Sequence, residues 1–182
     1  MCGAANEDWL KISESDFLTT RAGCWTASQA PEFSVVNVHA IQILAPAARI
    51  FPELGPRDLL APRAFWKILV GFRIAIGKLF GWDQDMTGNQ PQAMEAGQYF
   101  GFFHVIYVDP PREVGMTGEN RLTRALMSWV LRENSNGTTV FNVTCANFKR
   151  RQGRFYRQII RPFHDGLIEG SLRELHRRSQ AR

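Results

Sequence analysis

The stretch GRFYRQIIRPFHDGLIEGSLREL, residues 153–175, decides the fold. At about 100° per residue, the apolar residues of this stretch collect on one side, which predicts an amphipathic helix that covers other elements. The residues on that side are Tyr156, Ile160, Phe163, Leu167, Ser171 and Leu175. His164 falls between Phe163 and Leu175 on the same side, so a titratable group is expected at the protein interior.

The other side of this helix carries charge. Asp165, Glu169 and Arg173 fall opposite the apolar stripe, and with Arg161 they predict a solvated ladder of charges four residues apart. Pro162 lacks an amide hydrogen, so we expect either a kink there or a helix that begins there.

A second helix is predicted over residues 62–81, PRAFWKILVGFRIAIGKLFG. A proline at its start and a glycine at its end are typical helix boundaries. Lys67, Arg73 and Lys78 interrupt its apolar residues and argue against a membrane span. Arg73 projects among apolar neighbours, and a buried guanidinium needs an anionic partner or several acceptors.

Five segments are predicted to be β-strands, and tight connections separate the later ones. They are residues 33–44, 98–108, 112–117, 121–132 and 138–150. Three of them alternate, residues 98–108 are apolar on both faces, and residues 112–117 are expected to form a short edge piece. Two or three helices are expected after the first strand. An apolar sheet face must be covered, and the long terminal helix is the available cover. The sequence therefore predicts an α+β fold, with a curved antiparallel sheet wrapped around a C-terminal helix and a hollow between them.

Length and composition favour one domain. The chain has 182 residues, of which 45% are hydrophobic, enough for one substantial core. We expect residues 1–30 to form a partly ordered N-terminal arm and residues 31–182 to form the domain.

The first residues, MCGAANEDWLK, show no secretory signal, and the three cysteines are too few and too scattered for a disulfide framework. Both features predict a cytoplasmic protein.

Family resemblance points to the same fold. The order of elements, with the strand entering APAARIF, resembles the helix-grip superfamily (START-like, SRPBCC), which includes lipid-transfer domains and polyketide cyclases. The segments WKILVGFRIAIGKLFGW at 66–82 and GRFYRQIIRPFHDGLIEGSL at 153–172 are similar to a bacterial family still called a domain of unknown function (2867). The resemblance spans roughly residues 33–176. Its recurring motifs match Arg73, Gly-Arg-x-Tyr at 153–156 and Pro-Phe-His at 162–164, whereas Asp165 stands where that family has a basic residue.

The predicted site is the hollow between sheet and helix. Apolar surface would hold a small molecule there, and a polar residue would orient one end of it. The residues predicted to bind the ligand are Trp66, Arg73, Phe103, Tyr107, Met127, Trp129, Phe163 and His164. Arg73 and His164 could instead be structural, the first as an ion pair or an arginine reaching the surface by its long stem, the second as a satisfied core histidine.

Two functions follow from this site. The first is binding of an apolar molecule such as a lipid, a polyketide or an aromatic metabolite. The second is cofactor-independent chemistry of the cyclase, dehydratase or isomerase type, with His164 as the acid/base group and Arg73 or Tyr107 stabilising an enolate or carboxylate. The sequence does not decide whether the protein is an enzyme, and it leaves the oligomeric state open.

Other functions find less support. We expect no cofactor and no metal, since the sequence lacks nucleotide-binding and metalloprotease motifs and His39, His104, His164 and His176 lack metal-ligand spacing. The net charge of +5 fits acidic partners such as nucleic acid or an anionic membrane surface. No aromatic residues alternate with the arginines as single-strand binding requires, so this third function ranks last.

Overall fold

The computed structural model describes residues 9–10, 17, 24–54, 71, 94–100 and 103–180. The predicted helix at 62–81 lies outside the described residues except for Gly71, which is helical. The helices and strands are β1 (Trp9–Leu10), α1 (Trp25–Gln29), a 3₁₀ turn (Ala30–Glu32), β2 (Val35–Ile43), α2 (Ala47–Ile50), a second 3₁₀ turn (Phe51–Leu54), β3 (Tyr99–Phe100), β4 (Phe103–Asp109), β5 (Glu113–Glu119), β6 (Thr123–Asn134), β7 (Gly137–Phe148) and α3 (Arg150–Gln180).

One antiparallel sheet carries all seven of these strands, in the spatial order β1-β2-β7-β6-β5-β4-β3. Five are long, and they fall where the sequence predicts strands. The segment predicted as an edge piece at 112–117 is β5, which lies inside the sheet between β6 and β4, so that part of the prediction is wrong. The predicted strand at 98–108 is divided into β3 and β4, which pair antiparallel with Phe100 opposite Phe103. The α+β class and the long terminal helix on the sheet are confirmed.

The two faces of the sheet have separate cores. The inner face packs against α3 and carries the larger cluster, which includes Val114, Met116, Met127, Trp129 and Leu131. Leu126 and Val130 alternate with these residues and belong to the cluster on the outer face. The alternation predicted for residues 121–132 is therefore observed, and both of its sides are buried.

Helix α3 is continuous over its 31 residues and runs through Pro162. Its C-terminal half packs on the sheet, and such packing stabilises a helix more than local propensity does. The buried positions of that half are Ile168, Ser171, Leu172, Leu175 and Ser179. The sequence offers two overlapping apolar stripes, and the sheet covers the one that contains Ile168 and Leu172. Of the predicted stripe, Ser171 and Leu175 are buried as expected, whereas Phe163 is 44% exposed. The side chains of Tyr156 and Ile160 lie outside the described part of the chain.

Residues before β2 cover part of the outer face. Phe17 is fully buried and its ring contacts that of Phe141 at 5.5 Å. The Glu113 carboxylate accepts hydrogen bonds from the backbone N–H groups of Trp25 at 3.1 Å and Thr26 at 2.7 Å. These contacts attach α1 to β5, so this part of the predicted N-terminal arm packs against the sheet.

Candidate ligand-binding site

A row of polar side chains crosses the inner face. His39 on β2 is paired with Asn142 on β7, and Asn142 is paired with Trp129 on β6. Residues directly opposite one another in an antiparallel pair project from the same face, and Trp129 belongs to the inner core. We call His39, Asn142 and Trp129 the polar row. It continues into apolar Val114 on β5.

Two members of the polar row are buried with a donor unused. Trp129 and Asn142 are both 0% exposed. The Asn142 Oδ1 accepts from Thr144 Oγ1 at 3.3 Å. Neither Asn142 Nδ2 nor Trp129 Nε1 has a hydrogen-bond partner among the described residues. An unpaired buried donor costs about 1–3 kcal/mol, so each of these groups requires an explanation.

A cluster of hydrogen-bonding groups lies at the β2 edge of this row, between β2 and α3. We call Asn37, His39, His164 and Asp165 the edge cluster. Asn37 Nδ2 donates to Asp165 Oδ1 at 2.8 Å and lies 3.1 Å from His39 Nε2. Because Asn37 Nδ2 can only donate, we assign His39 Nε2 as an acceptor, which leaves the imidazole proton on Nδ1. His164 Nδ1 lies 3.7 Å from Asp165 Oδ1, which is long for a hydrogen bond.

Burial and charge shift two pKa values in the edge cluster. Burial lowers the pKa of His39, and the nearby carboxylates of Asp165 and Glu169 only partly oppose that effect. The pKa of Asp165 is lowered, chiefly by its interaction with the His164 imidazole, with smaller contributions from His39 and Asn37, while burial opposes the shift. The resulting state at neutral pH is a neutral His39 beside an ionised Asp165.

Asp165 corrects one expectation from the sequence. It was predicted on the solvated side of the terminal helix, but its side chain is only 28% exposed and bonds to Asn37 on the sheet. The change follows from the same rotation of the buried stripe that leaves Phe163 exposed. Arg161 remains at the surface, with Nε 3.6 Å from Asp165 Oδ2.

Three predicted binding residues, Phe103, Met127 and Trp129, lie together on the inner face. All three belong to the inner core cluster and are 9% exposed or less. His164 lies at the β2 edge with a side chain 29% exposed. The structure therefore brings His164 to the border of the inner face and leaves Phe163 outside it.

Tyr107 lies on the other face of the sheet, which corrects its predicted place. The register shifts between Val105, paired with Met116, and Tyr107, paired with Gly115. This β-bulge places two residues of β4 against one of β5 and reverses the alternation. Tyr107 consequently stacks on Trp25 at the outer face, with ring centroids 4.9 Å apart.

Trp66 and Arg73 lie outside the described residues, so their roles in binding stay predictions. Conversely, Asn37, His39, Asn142 and Asp165 enter the site although none of them was among the predicted binding residues. One available signal was β7, where Asn142 stands between the apolar residues Phe141 and Val143. The partner of Asn142 in the sheet could not be read from the sequence, since His39 is more than one hundred residues away along the chain.

The basic residues of the surface are partly neutralised by neighbours. Lys149 contacts Glu119, and Arg177 and Arg178 both bond to Glu174 at 2.6 and 2.7 Å. These two arginines lower the pKa of Glu174 to about 2, with the hydrogen bond from Arg177 as the largest cause.

Within the part of the chain that is described, no helix combines the length and apolarity needed to cross a membrane, and no group of three His, Cys, Asp or Glu is placed to hold a metal.

An antiparallel sheet with a long C-terminal helix packed on one face is the arrangement of helix-grip proteins. The chain belongs to the family described as Protein of unknown function (DUF2867), whose model matches residues 29–171. No curated protein sequence matches the chain.

Several solved structures are similar to the chain at low sequence identity. A protein from Rhodobacter sphaeroides is 14% identical, with a TM-score of 0.51 over 80% of this chain and 92% of that chain. An uncharacterised protein from Rhizobium leguminosarum is 16% identical, with a TM-score of 0.45 over 81% and 95%. CalU16 from Micromonospora echinospora is 12% identical, with a TM-score of 0.45 over 78% and 71%.

Proposed function

We propose that this protein binds an apolar small molecule, such as a lipid, a polyketide or an aromatic metabolite, between the inner face of the sheet and α3. One observation carries the proposal. Trp129 and Asn142 are fully buried in the middle of an apolar face, and each has a donor without a partner among the described residues. Such groups are typical of sites where a few polar atoms orient a ligand that apolar surface holds.

The residues around the polar row support this function. Met116 and Met127 are paired across β5 and β6 and occupy the neighbouring row of the inner face. Methionine side chains are flexible and polarisable, so they can repack around an incoming molecule. Arg73, should it face the same space, would provide a further anchor.

Binding of a neutral fluorescent probe tests the proposal. N-phenyl-1-naphthylamine should bind the purified protein, and its emission should rise in the apolar site. Met127→Gln places an amide on the inner face and should weaken binding about tenfold or more, because a polar group is introduced into the contact surface. Met127→Phe, which stays apolar, provides a second variant if the first fails to fold cooperatively.

Leu44→Gln is the matched control. Leu44 is 73% exposed and belongs to neither core cluster, so its substitution should leave the affinity unchanged. Native mass spectrometry of the freshly purified protein provides an independent measurement, with a co-purifying apolar compound as the expected result. Ligand-free spectra together with equal probe binding by Met127→Gln and Leu44→Gln would refute the proposal.

A second candidate function is acid/base chemistry in the same site. The observation that favours it is the approach of His164 Nδ1 to Asp165 Oδ1 at 3.7 Å, since a carboxylate can orient an imidazole and stabilise its protonated form. If the protein has this function, polyketides or aromatic metabolites incubated with it should be converted into products of different mass or structure. His164→Gln should abolish that change while N-phenyl-1-naphthylamine still binds; persistence of the change would exclude His164 as the acid/base group.

A further inference from the structure

Two buried donors define the chemistry of the group that they would bind. Trp129 Nε1 is a donor only, and an amide nitrogen such as Asn142 Nδ2 also only donates. Trp129 and Asn142 are paired directly across β6 and β7, and opposite residues of such a pair have Cβ atoms about 4.5–5.5 Å apart. The complementary ligand group is therefore a hydrogen-bond acceptor.

Charge distinguishes between the acceptors that could bind there. The indole and the amide are neutral. His39 is the third member of the polar row. Among the described residues, the carboxylates of Asp165 and Glu169 interact electrostatically with it. Negative charge at the end of the row disfavours an anionic ligand, and transfer of an uncompensated anion into a buried site is costly. The surroundings that are described favour a neutral acceptor.

We infer that Trp129 Nε1 and Asn142 Nδ2 hold the oxygen of a neutral carbonyl group, as found in a ketone, an ester or a quinone. This inference rests on the proposed function, and it adds the class of ligand. The amide of Asn142 is oriented for this role, because its Oδ1 is engaged by Thr144 at 3.3 Å. Both side chains are fully buried, so the ligand enters by displacing packed neighbours, for which the flexible Met116 and Met127 are suited.

Matched pairs of ketone and alkene separate the hydrogen bonds from apolar contact. The pairs are acetophenone with α-methylstyrene, and 2-acetylnaphthalene with 2-isopropenylnaphthalene, in which a methylene group replaces the carbonyl oxygen. Affinities are measured by displacement of N-phenyl-1-naphthylamine. The wild-type protein should bind the ketone of at least one pair about tenfold more tightly than its alkene, as expected for net hydrogen bonds of ordinary strength.

Three variants locate the preference. Trp129→Phe keeps an aromatic ring without the N–H, and Asn142→Leu removes the amide; each should reduce the ketone-to-alkene ratio toward one. Ser128→Ala is the matched control, because Ser128 is equally buried and its hydroxyl also lacks a partner among the described residues, yet it projects from the outer face. The Ser128 variant should retain the ratio.

A spectroscopic measurement reports on the donor itself. The chain has five tryptophans, and Trp129→Phe assigns the indole N–H resonance of Trp129. In the wild-type protein this resonance should move downfield with 2-acetylnaphthalene and much less with 2-isopropenylnaphthalene.

The outcomes are distinct. Equal affinity for ketone and alkene would overturn the carbonyl inference and leave the proposed function standing. Tighter binding of 2-naphthoate than of 2-acetylnaphthalene would show an anion site and would likewise overturn it. Failure of every compound and of the dye to bind would overturn both.

Discussion

Trp129 and Asn142 lie opposite one another on neighbouring strands, fully buried, on the sheet face that α3 covers. Both side chains have an unused donor among the described residues. Ser128 is also buried with a hydroxyl that lacks a partner among the described residues, but Trp129 and Asn142 are adjacent to each other on the face that α3 covers. This adjacency is the ground on which we propose that the pair serves binding.

The stability of the unliganded protein tests that explanation. Asn142→Leu replaces an amide that makes one long hydrogen bond with a side chain of similar size, and we expect a change in the free energy of unfolding of less than about 1 kcal/mol, or a gain. Thr138→Val is the control, because the buried Thr138 Oγ1 donates to the Ala45 carbonyl at 2.6 Å. The control should lose about 1–2 kcal/mol in chemical denaturation, and a comparable loss for Asn142→Leu would assign Asn142 to structure.

The lowered pKa of His39 predicts a pH dependence of stability. The unfolded chain binds the His39 proton more readily than the folded protein, because burial lowers the folded-state pKa below the ordinary value of 6.5. The stability that comes from keeping His39 neutral is therefore fully present above pH 6.5 and is lost as the pH falls below 6.5. We expect denaturation midpoints to decline from pH 7 to pH 5 in the wild type and to decline less in His39→Gln.

His176→Gln is the control for this experiment, since His176 lies near the far end of α3 and contacts Gln180 at 3.0 Å. Its pH profile should match the wild type. Asp165 acts in a separate range, because its lowered pKa gives stability that is lost only as the pH falls below 3.8. Identical profiles for the wild type and His39→Gln between pH 5 and 7 would contradict the assigned state of His39.

The sequence identifies the strands, the terminal helix and the apolar inner positions of β6. Local pattern suffices there, since alternation and helical periodicity are properties of neighbouring residues. It does not identify which of two helix stripes is buried, so Asp165 was placed in solvent. It also misses the bulge that moves Tyr107 to the outer face, and the pairing of His39 with Asn142, because register depends on contacts between distant segments.

The close approach of Trp25 to Gly115 predicts strong coupling between these residues. A Cβ added at Gly115 would overlap the Trp25 ring, which is held by stacking on Tyr107. Gly115→Ala should cost about 1–3 kcal/mol of unfolding free energy. The same substitution should cost much less in a Trp25→Ala background, as measured by a double-mutant cycle. Additive effects would show that the ring is free to move aside.

The Glu113 carboxylate predicts local protection at the start of α1. It is 3% exposed and accepts two backbone hydrogen bonds, from Trp25 and Thr26. Glu113→Gln should lower stability by about 1–3 kcal/mol and increase amide exchange at Trp25 and Thr26. Glu133→Gln is the control, because Glu133 accepts from the Ala47 N–H at 2.7 Å, at the start of a different helix. Unchanged exchange at Trp25 and Thr26 in Glu113→Gln would show that other contacts attach α1.

The central claim is that the ligand lies against the inner face, and nuclear Overhauser contacts test it most directly. With the methyl groups of methionine labelled with ¹³C, bound 2-acetylnaphthalene should show contacts to Met116 and Met127, which neighbour the polar row. Contacts confined to residues near the exposed Tyr99 and Ile106, with none to Met116 or Met127, would contradict the proposed site.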